Sequence, residues 1–187
     1  MEKNLEPSVR TVVAFLTGCG YRYAIIGGIA LSQWGVVRAT YDVDIKVLVP
    51  NHDYGAARAA LRAAFPQPAR PHAPSNPLIV DVRVGDVVVD LLLALPGYEE
   101  LIIERAVERD LGGWSAWVCS AEDLIIQKVV AGRGKDWLDV ESLLTERGSD
   151  LDEQYVQEWL GQFGEALEDP EILARYQELC AKIRALH

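Results

Sequence analysis

The chain has 187 residues, half of them hydrophobic and a quarter charged, with 28 acidic against 18 basic side chains and a formal charge of −10. That length and balance suit one domain, or one domain with a small helical appendage, built on a packed core. They speak against a broad basic surface for tracking nucleic-acid phosphates, and no apolar run approaches the ~18 residues of a membrane span.

In chain order, Pro7 opens a helical pattern through Val12, Val13, Phe15 and Leu16, which Gly18 and Gly20 stop. Tyr21–Ile26 is a β-favouring run ending at Gly27-Gly28, and Ile29 to Trp34 suit a short helix closed by Gly35. Tyr41–Val49 alternates as a strand, with Val43, Ile45, Val47 and Val49 on one face and Pro50 at its end. A helix is predicted over His52–Phe65, and the prolines at 66, 68, 71, 74 and 77 demand a loop. Two β-branched runs, Leu78–Val84 and Val87–Leu95, flank Gly85-Asp86 as a tight hairpin. A helix over Glu99–Arg109 and a short strand at Ala116–Val118 follow. From Ser120, an N-cap with acids in the first turn, the pattern is helical almost to the end. The expected architecture is α/β (α+β): a mixed sheet flanked by helices over 1–119, then a helical C-terminal region over 120–187.

Cys19, Cys119 and Cys180 lack metal-ligand spacing, as do His52, His72 and His187, so unpaired thiols in a reducing compartment are expected. The opening Met1-Glu2-Lys3-Asn4-Leu5-Glu6 has no basic segment followed by an apolar one. The expectation is a soluble cytoplasmic protein.

The chemistry is concentrated in Ile26-Gly27-Gly28 followed by Asp42-Val43-Asp44-Ile45. Two glycines between a strand and a helix let the backbone approach a phosphate closely. Asp42 and Asp44, two apart on a strand, project to the same side, opposite Val43 and Ile45. Their mutual repulsion is relieved by a cation, and magnesium, held by one or two carboxylates plus substrate phosphates, fits that position. Asp90 lies among Val87, Val88, Val89, Leu91, Leu92 and Leu93, where a solitary carboxylate would be expensive to bury. If its strand lies beside that of Asp42, the three carboxylates form a catalytic cluster for two magnesium ions, and Asp90 can accept the proton of an acceptor hydroxyl.

The glycine pair, the gap and the Asp-x-Asp resemble the signature of the polymerase β-type nucleotidyltransferase superfamily. The string Gly27-Gly28-Ile29-Ala30 through Arg38-Ala39-Thr40-Tyr41-Asp42-Val43-Asp44 more narrowly resembles its abortive-infection AbiEii toxin type. The run from Gln127 to Val140, with Lys128, Arg133, Lys135, Asp136 and Asp139, resembles the downstream motif of those proteins. The resemblance implies a nucleotidyltransferase-like mixed sheet, magnesium, and transfer of a nucleoside monophosphate from a triphosphate to a hydroxyl. It implies acceptors such as tRNA ends, protein side chains or small antibiotic-type molecules, and an antitoxin protein as partner. One departure stands out: many relatives carry serine where Gly28 stands. Ser32, one turn later, is a weak substitute.

Nucleotide contacts are therefore expected from Gly27, Gly28, Ser32, Arg38, Lys128, Arg133, Lys135 and Asp136. Each has a plainer reading. Lys128 can snorkel from the core edge, Arg133 and Lys135 can cap a helix, and Asp136 and Asp139 can pair with those cations. Trp114, Trp117, Trp137 and Trp159 read as core or interface residues rather than base-stacking platforms. The leading expectation is a toxin-type nucleotidyltransferase acting on tRNA. A binding module of the same fold without turnover, an antibiotic-modifying enzyme and, last, a purely structural protein are the alternatives.

Overall fold

Val9, Val12, Val13 and Leu16 recur at helical spacing and form the buried stripe of α1 (Leu5–Gly18). The computed structural model containing this helix describes residues 5–37, 39–67 and 76–186. Arg38 and the prolines at 68, 71 and 74 lie outside those residues. Backbone contacts divide the chain into two compact units, Met1–Ala30 with Arg38–Cys119, and Leu31–Val37 with Ser120–His187.

The first unit is built on a six-stranded mixed sheet of order β3-β4-β2-β1-β6-β5. Its strands are β1 (Arg22–Ile26), β2 (Asp42–Leu48), β3 (Ile79–Val84), β4 (Val87–Leu93), β5 (Val107–Asp110) and β6 (Ser115–Val118). The helices of its sequence are α1, the start of α2 (Gly27–Gln33), α3 (Tyr54–Ala64) and α4 (Tyr98–Glu104). The mixed sheet flanked by helices is the one the order of elements predicts. β2 runs antiparallel to β1 and parallel to β4, and β3 and β4 form an antiparallel hairpin. Gly85, at φ +61°, makes the tight turn between Val84 and Val87, a backbone shape that glycine adopts without steric penalty. Val43, Ile45, Val47, Val89, Leu91 and Leu93 are all buried, so one face of β2 and β4 is core. Asp53 caps α3 by accepting from the Ala56 amide at 2.9 Å.

One element differs from expectation. The helix predicted over Glu99–Arg109 stops at Glu104, and Val107–Asp110 is β5, paired with β6. The turn after it explains why. Gly112 and Gly113 take φ of +95° and +88°, and Asp110 Oδ1 accepts from both of their amides at 2.9 and 2.7 Å. Two left-handed residues and an aspartate that bonds forward favour a hairpin over a continuing helix.

The second unit is helical: α5 (Ala121–Ala131), α6 (Gly134–Arg147), α7 (Glu153–Ala166) and α8 (Glu171–Arg184). Ser120 caps α5 through the Asp123 amide, and Gly132, in the left-handed region, ends it. Val140, Leu143, Val156, Leu160 and Tyr176 are among its fully buried residues. Leu31–Val37 joins these helices through Trp34, whose ring lies 5.6 Å beneath the Arg147 guanidinium. Among the described residues no helix is both long and apolar enough to cross a membrane.

Candidate active site

The first unit brings two strand aspartates into register. In the parallel β2–β4 pair, Asp44 and Asp90 are direct partners and Asp42 is opposite Val88. Partners in register project from the same side of a sheet, so Asp44 and Asp90 share a face, and Asp42 joins them one period earlier. Asp42 is exposed, whereas Asp44 and Asp90 are half-buried. Solvent and ligand can therefore reach a face whose reverse, Val43, Ile45, Val89 and Leu91, is closed core.

The glycine turn abuts that face. α2 begins at Gly27 directly after Ile26, so strand passes into helix with no linker. Gly27 takes φ +67°, and a Cβ there would stand 2.3 Å from Asp44 Oδ2. A side chain there would have to displace the carboxylate, against which the backbone lies. A Cβ at Gly28 would meet Thr40 Oγ1 at 2.4 Å. Both glycines thus keep the turn close to β2 and to the segment leading into it.

Two neighbours of the aspartates escaped the sequence reading. Lys46, one strand period after Asp44, is buried, and its Nζ donates to Glu99 Oε1 at 2.5 Å. Glu99 in turn accepts from the Leu95 amide at 2.7 Å. This half-buried ion pair fixes the start of α4 against the continuation of the aspartate face. The alternation Asp42, Asp44, Lys46 was the signal that could have found it. Asp81 of β3, in register with Asp90 and only 2 % exposed, extends the row Asp44–Asp90–Asp81 across three strands. The Arg62 guanidinium stands 3.9 Å from its Oδ1. A separate cavity of about 340 Å³ in this unit, lined by Thr17, Tyr21, Arg22, Glu104 and Trp117, lies at the opposite end of β1 from the glycine turn. Trp117, read from sequence as a core or interface residue, is 46 % exposed there.

The donor set suits magnesium. Among the described residues, no three His, Cys, Asp or Glu side chains close into a ready-made metal cage. Magnesium does not require one, because it keeps several waters and takes one or two carboxylates together with substrate phosphates. Two adjacent carboxylates, a third on the same side and a glycine turn against them meet that requirement.

The remaining expected site residues belong to other elements. Ser32 is exposed on α2, and Arg38 lies outside the described residues. Lys128, Arg133, Lys135 and Asp136 belong to the second unit. Lys128 Nζ, buried, donates to Asp139 Oδ2 at 2.6 Å and to Asp136 Oδ1 at 3.4 Å. Arg133 Nε donates to Asp136 Oδ2 at 2.5 Å. Burial would raise the proton affinity of Asp136, but the Arg133 hydrogen bond and the Lys128 charge outweigh it and hold the carboxyl below its ordinary range. The four side chains join α5 to α6 around the Gly132 turn. Lys135 is exposed.

No family model and no curated protein matches the chain. Solved structures do. An antigenic nucleotidyltransferase-like protein from Paracoccidioides brasiliensis superposes with a TM-score of 0.59 at 17% identity, covering 95% of this chain and 94% of that one. The fold is nucleotidyltransferase-like. ANT(2")-Ia in complex with adenylyl-2"-tobramycin gives 0.59 at 16% identity over 86% of this chain and 97% of that one. The solution structure of the antibiotic-resistance factor ANT(2'')-Ia gives 0.55 at 17%, over 100% and 98%.

Proposed function

We propose that this chain is a magnesium-dependent nucleotidyltransferase, moving a nucleoside monophosphate from a nucleoside triphosphate to an acceptor hydroxyl with release of pyrophosphate. The observation that carries this reading is the strand register that places Asp44 beside Asp90, with Asp42 on the same side and Gly27 against them. Asp42, Asp44 and Asp90 would hold the metal, which when bound neutralises charge on the phosphates. Gly27 and Gly28 let backbone amides approach the triphosphate. The acceptor oxygen bonds to the α-phosphorus, the bond from that phosphorus to the bridging oxygen breaks, and Asp90 takes the acceptor proton. Positioning and charge neutralisation supply most of the rate.

For the acceptor we favour a small polyhydroxylated molecule carrying ammonium groups. A formal charge of −10 disfavours a nucleic-acid backbone and favours a cation. The tobramycin adduct of ANT(2")-Ia is a ligand of this chemical kind. A second reading, a toxin that modifies tRNA and is restrained by an antitoxin, is favoured by the string from Gly27 to Asp44.

The test is incubation with each α-labelled nucleoside triphosphate, magnesium, and either an aminoglycoside panel or total tRNA, beside an Asp42→Ala/Asp44→Ala control. Label on an aminoglycoside, absent in the control, is the expected result. Label on tRNA would replace the acceptor with the toxin reading. Magnesium-dependent nucleotide binding without transfer would leave a binding module, and no binding would end the proposal.

A further inference from the structure

Gly28 poses a question that its own backbone does not answer. Unlike Gly27, it is absent from the residues of positive φ, so no left-handed conformation requires glycine there. It stands in the first turn of α2, where glycine weakens a helix relative to alanine. The answer lies across the turn. A Cβ at position 28 would come within 2.4 Å of Thr40 Oγ1, 2.8 Å of Thr40 Cβ and 3.5 Å of Thr40 Cγ2. All three of its nearest atoms belong to one residue, and the nearest is the hydroxyl. Position 28 is glycine because Thr40 covers it.

Thr40 enters β2 two residues before Asp42, and its hydroxyl donates to the Asp42 carbonyl oxygen at 3.2 Å. That is long for a hydroxyl donor, whose bonds cluster below about 3.0 Å. A hydroxyl rotates freely and carries one donor and two lone pairs, so it exchanges a weak acceptor for a stronger one at little cost. A phosphate oxygen is the stronger acceptor, since bonds to charged groups are shorter and about twice as strong. Thr40 therefore places a donor where a glycine at position 28 offers none, between the glycine turn and the catalytic strand.

We propose that Thr40 contacts the nucleotide, its hydroxyl donating to a phosphate oxygen of the bound triphosphate, and that Gly28 is glycine to admit it. The inference rests on the nucleotidyltransferase reading of this site. It assigns the hydroxyl at the turn to the strand side, from a residue that the spacing of Gly27, Gly28, Asp42 and Asp44 does not mark.

The test measures binding without turnover. Calorimetry with magnesium and the α,β-methylene analogues of the four ribonucleoside triphosphates would compare wild type with Thr40→Val, Thr40→Ser, Gly28→Ser and the swap Gly28→Ser/Thr40→Ala. Melting temperatures would be recorded beside each. Loss of a hydrogen bond to a charged group predicts binding weaker by about tenfold or more in Thr40→Val at an unchanged melting temperature. Thr40→Ser should stay within about threefold of wild type, since it keeps the hydroxyl. Gly28→Ser should bind poorly because the two side chains collide, and the swap should recover most of the loss. Wild-type affinity in Thr40→Val, or equal weakening in Thr40→Ser, would overturn the inference while leaving the site reading intact. A swap no better than Gly28→Ser alone would overturn it too. If wild type binds none of the analogues, the site reading fails and takes this inference with it.

Discussion

In the first unit Asp42, Asp44 and Asp90 stand on one side of two neighbouring strands, like charges held in register. In the second, Lys128, Arg133, Asp136 and Asp139 join around the turn between α5 and α6, with opposite charges meeting and summing to zero. Folding alone favours the second arrangement, because a buried charge is tolerated when it is paired and hydrogen-bonded. The first sets like charges side by side on neighbouring strands, where carboxylates repel one another. On the proposed function the aspartate face is kept for a ligand, whereas the α5–α6 network joins two helices. Lys128 and Asp136, both expected nucleotide contacts, bind one another in this network.

The largest expected effect tests the first half of this contrast. Asp90→Asn should lower transfer by about 10³-fold, the scale of losing one well-placed electrostatic group from a catalytic site. Its melting temperature should change little beside that loss. Parallel activity and melting measurements check this, and a clear loss of stability would recast Asp90 as a structural residue. Lys128→Met tests the other half. It removes the cation that Asp136 and Asp139 share in a buried site and should destabilise by about 3–5 kcal/mol. Adding Asp139→Leu removes the surplus charge and should restore much of that. Denaturant melts read both effects. If Lys128→Met instead leaves stability intact and weakens nucleotide binding, the lysine belongs to the site after all.

What the sequence disclosed follows the same division. Period-two alternation put Asp42 and Asp44 on one side, and the greasy surroundings of Asp90 marked it as unusual. Only the register could show that Asp90 falls opposite Asp44 rather than one residue away, on the other face. Lys46 was legible in principle, one further step along the same strand. Asp81 was not, since nothing in its own run distinguishes it until β3 is zipped to β4. The β5 strand was hidden by its charged residues, which fit an exposed helix as well as an edge strand, and the glycines at 112 and 113 were its better signal. The pairing of Lys128 with Asp139, eleven residues on, depends on how Gly132 redirects the chain, and no helical spacing encodes it.

Gly27→Ala sharpens the contrast at smaller scale. The new Cβ needs both a left-handed backbone at φ +67° and the space now held by Asp44 Oδ2, 2.3 Å away. Strain of this kind costs about 1–3 kcal/mol. Because the displaced atom belongs to a proposed metal ligand, transfer should fall further than stability does. A stability loss with full transfer would mean that the Asp44 carboxylate can move without consequence.

The smallest effect concerns acid. Glu100 and Asp136, one in each unit, sit below their ordinary range. The hydrogen bond from His52, then that from the Gly97 amide, lowers Glu100. Asp136 is lowered by Arg133 and Lys128 against the opposing pull of burial. A carboxyl whose folded pKa lies below its unfolded value binds more protons when unfolded, so its contribution is complete above the unfolded pKa and drains away as pH falls through the folded one. For Asp136 the loss begins near the ordinary aspartate value of 3.8 and continues below it. Asp136 is 1 % exposed, whereas Glu100 lies at the surface, where solvent screens its partners. Melting temperature followed from neutral pH down to about pH 3 should therefore fall less steeply in Asp136→Asn than in wild type, although the variant starts lower. Glu100→Gln should leave the slope nearly unchanged. The reverse ranking would mean that solvent screens the partners of Asp136 more than those of Glu100, and the contrast between a row of like charges and a paired structural network would no longer hold.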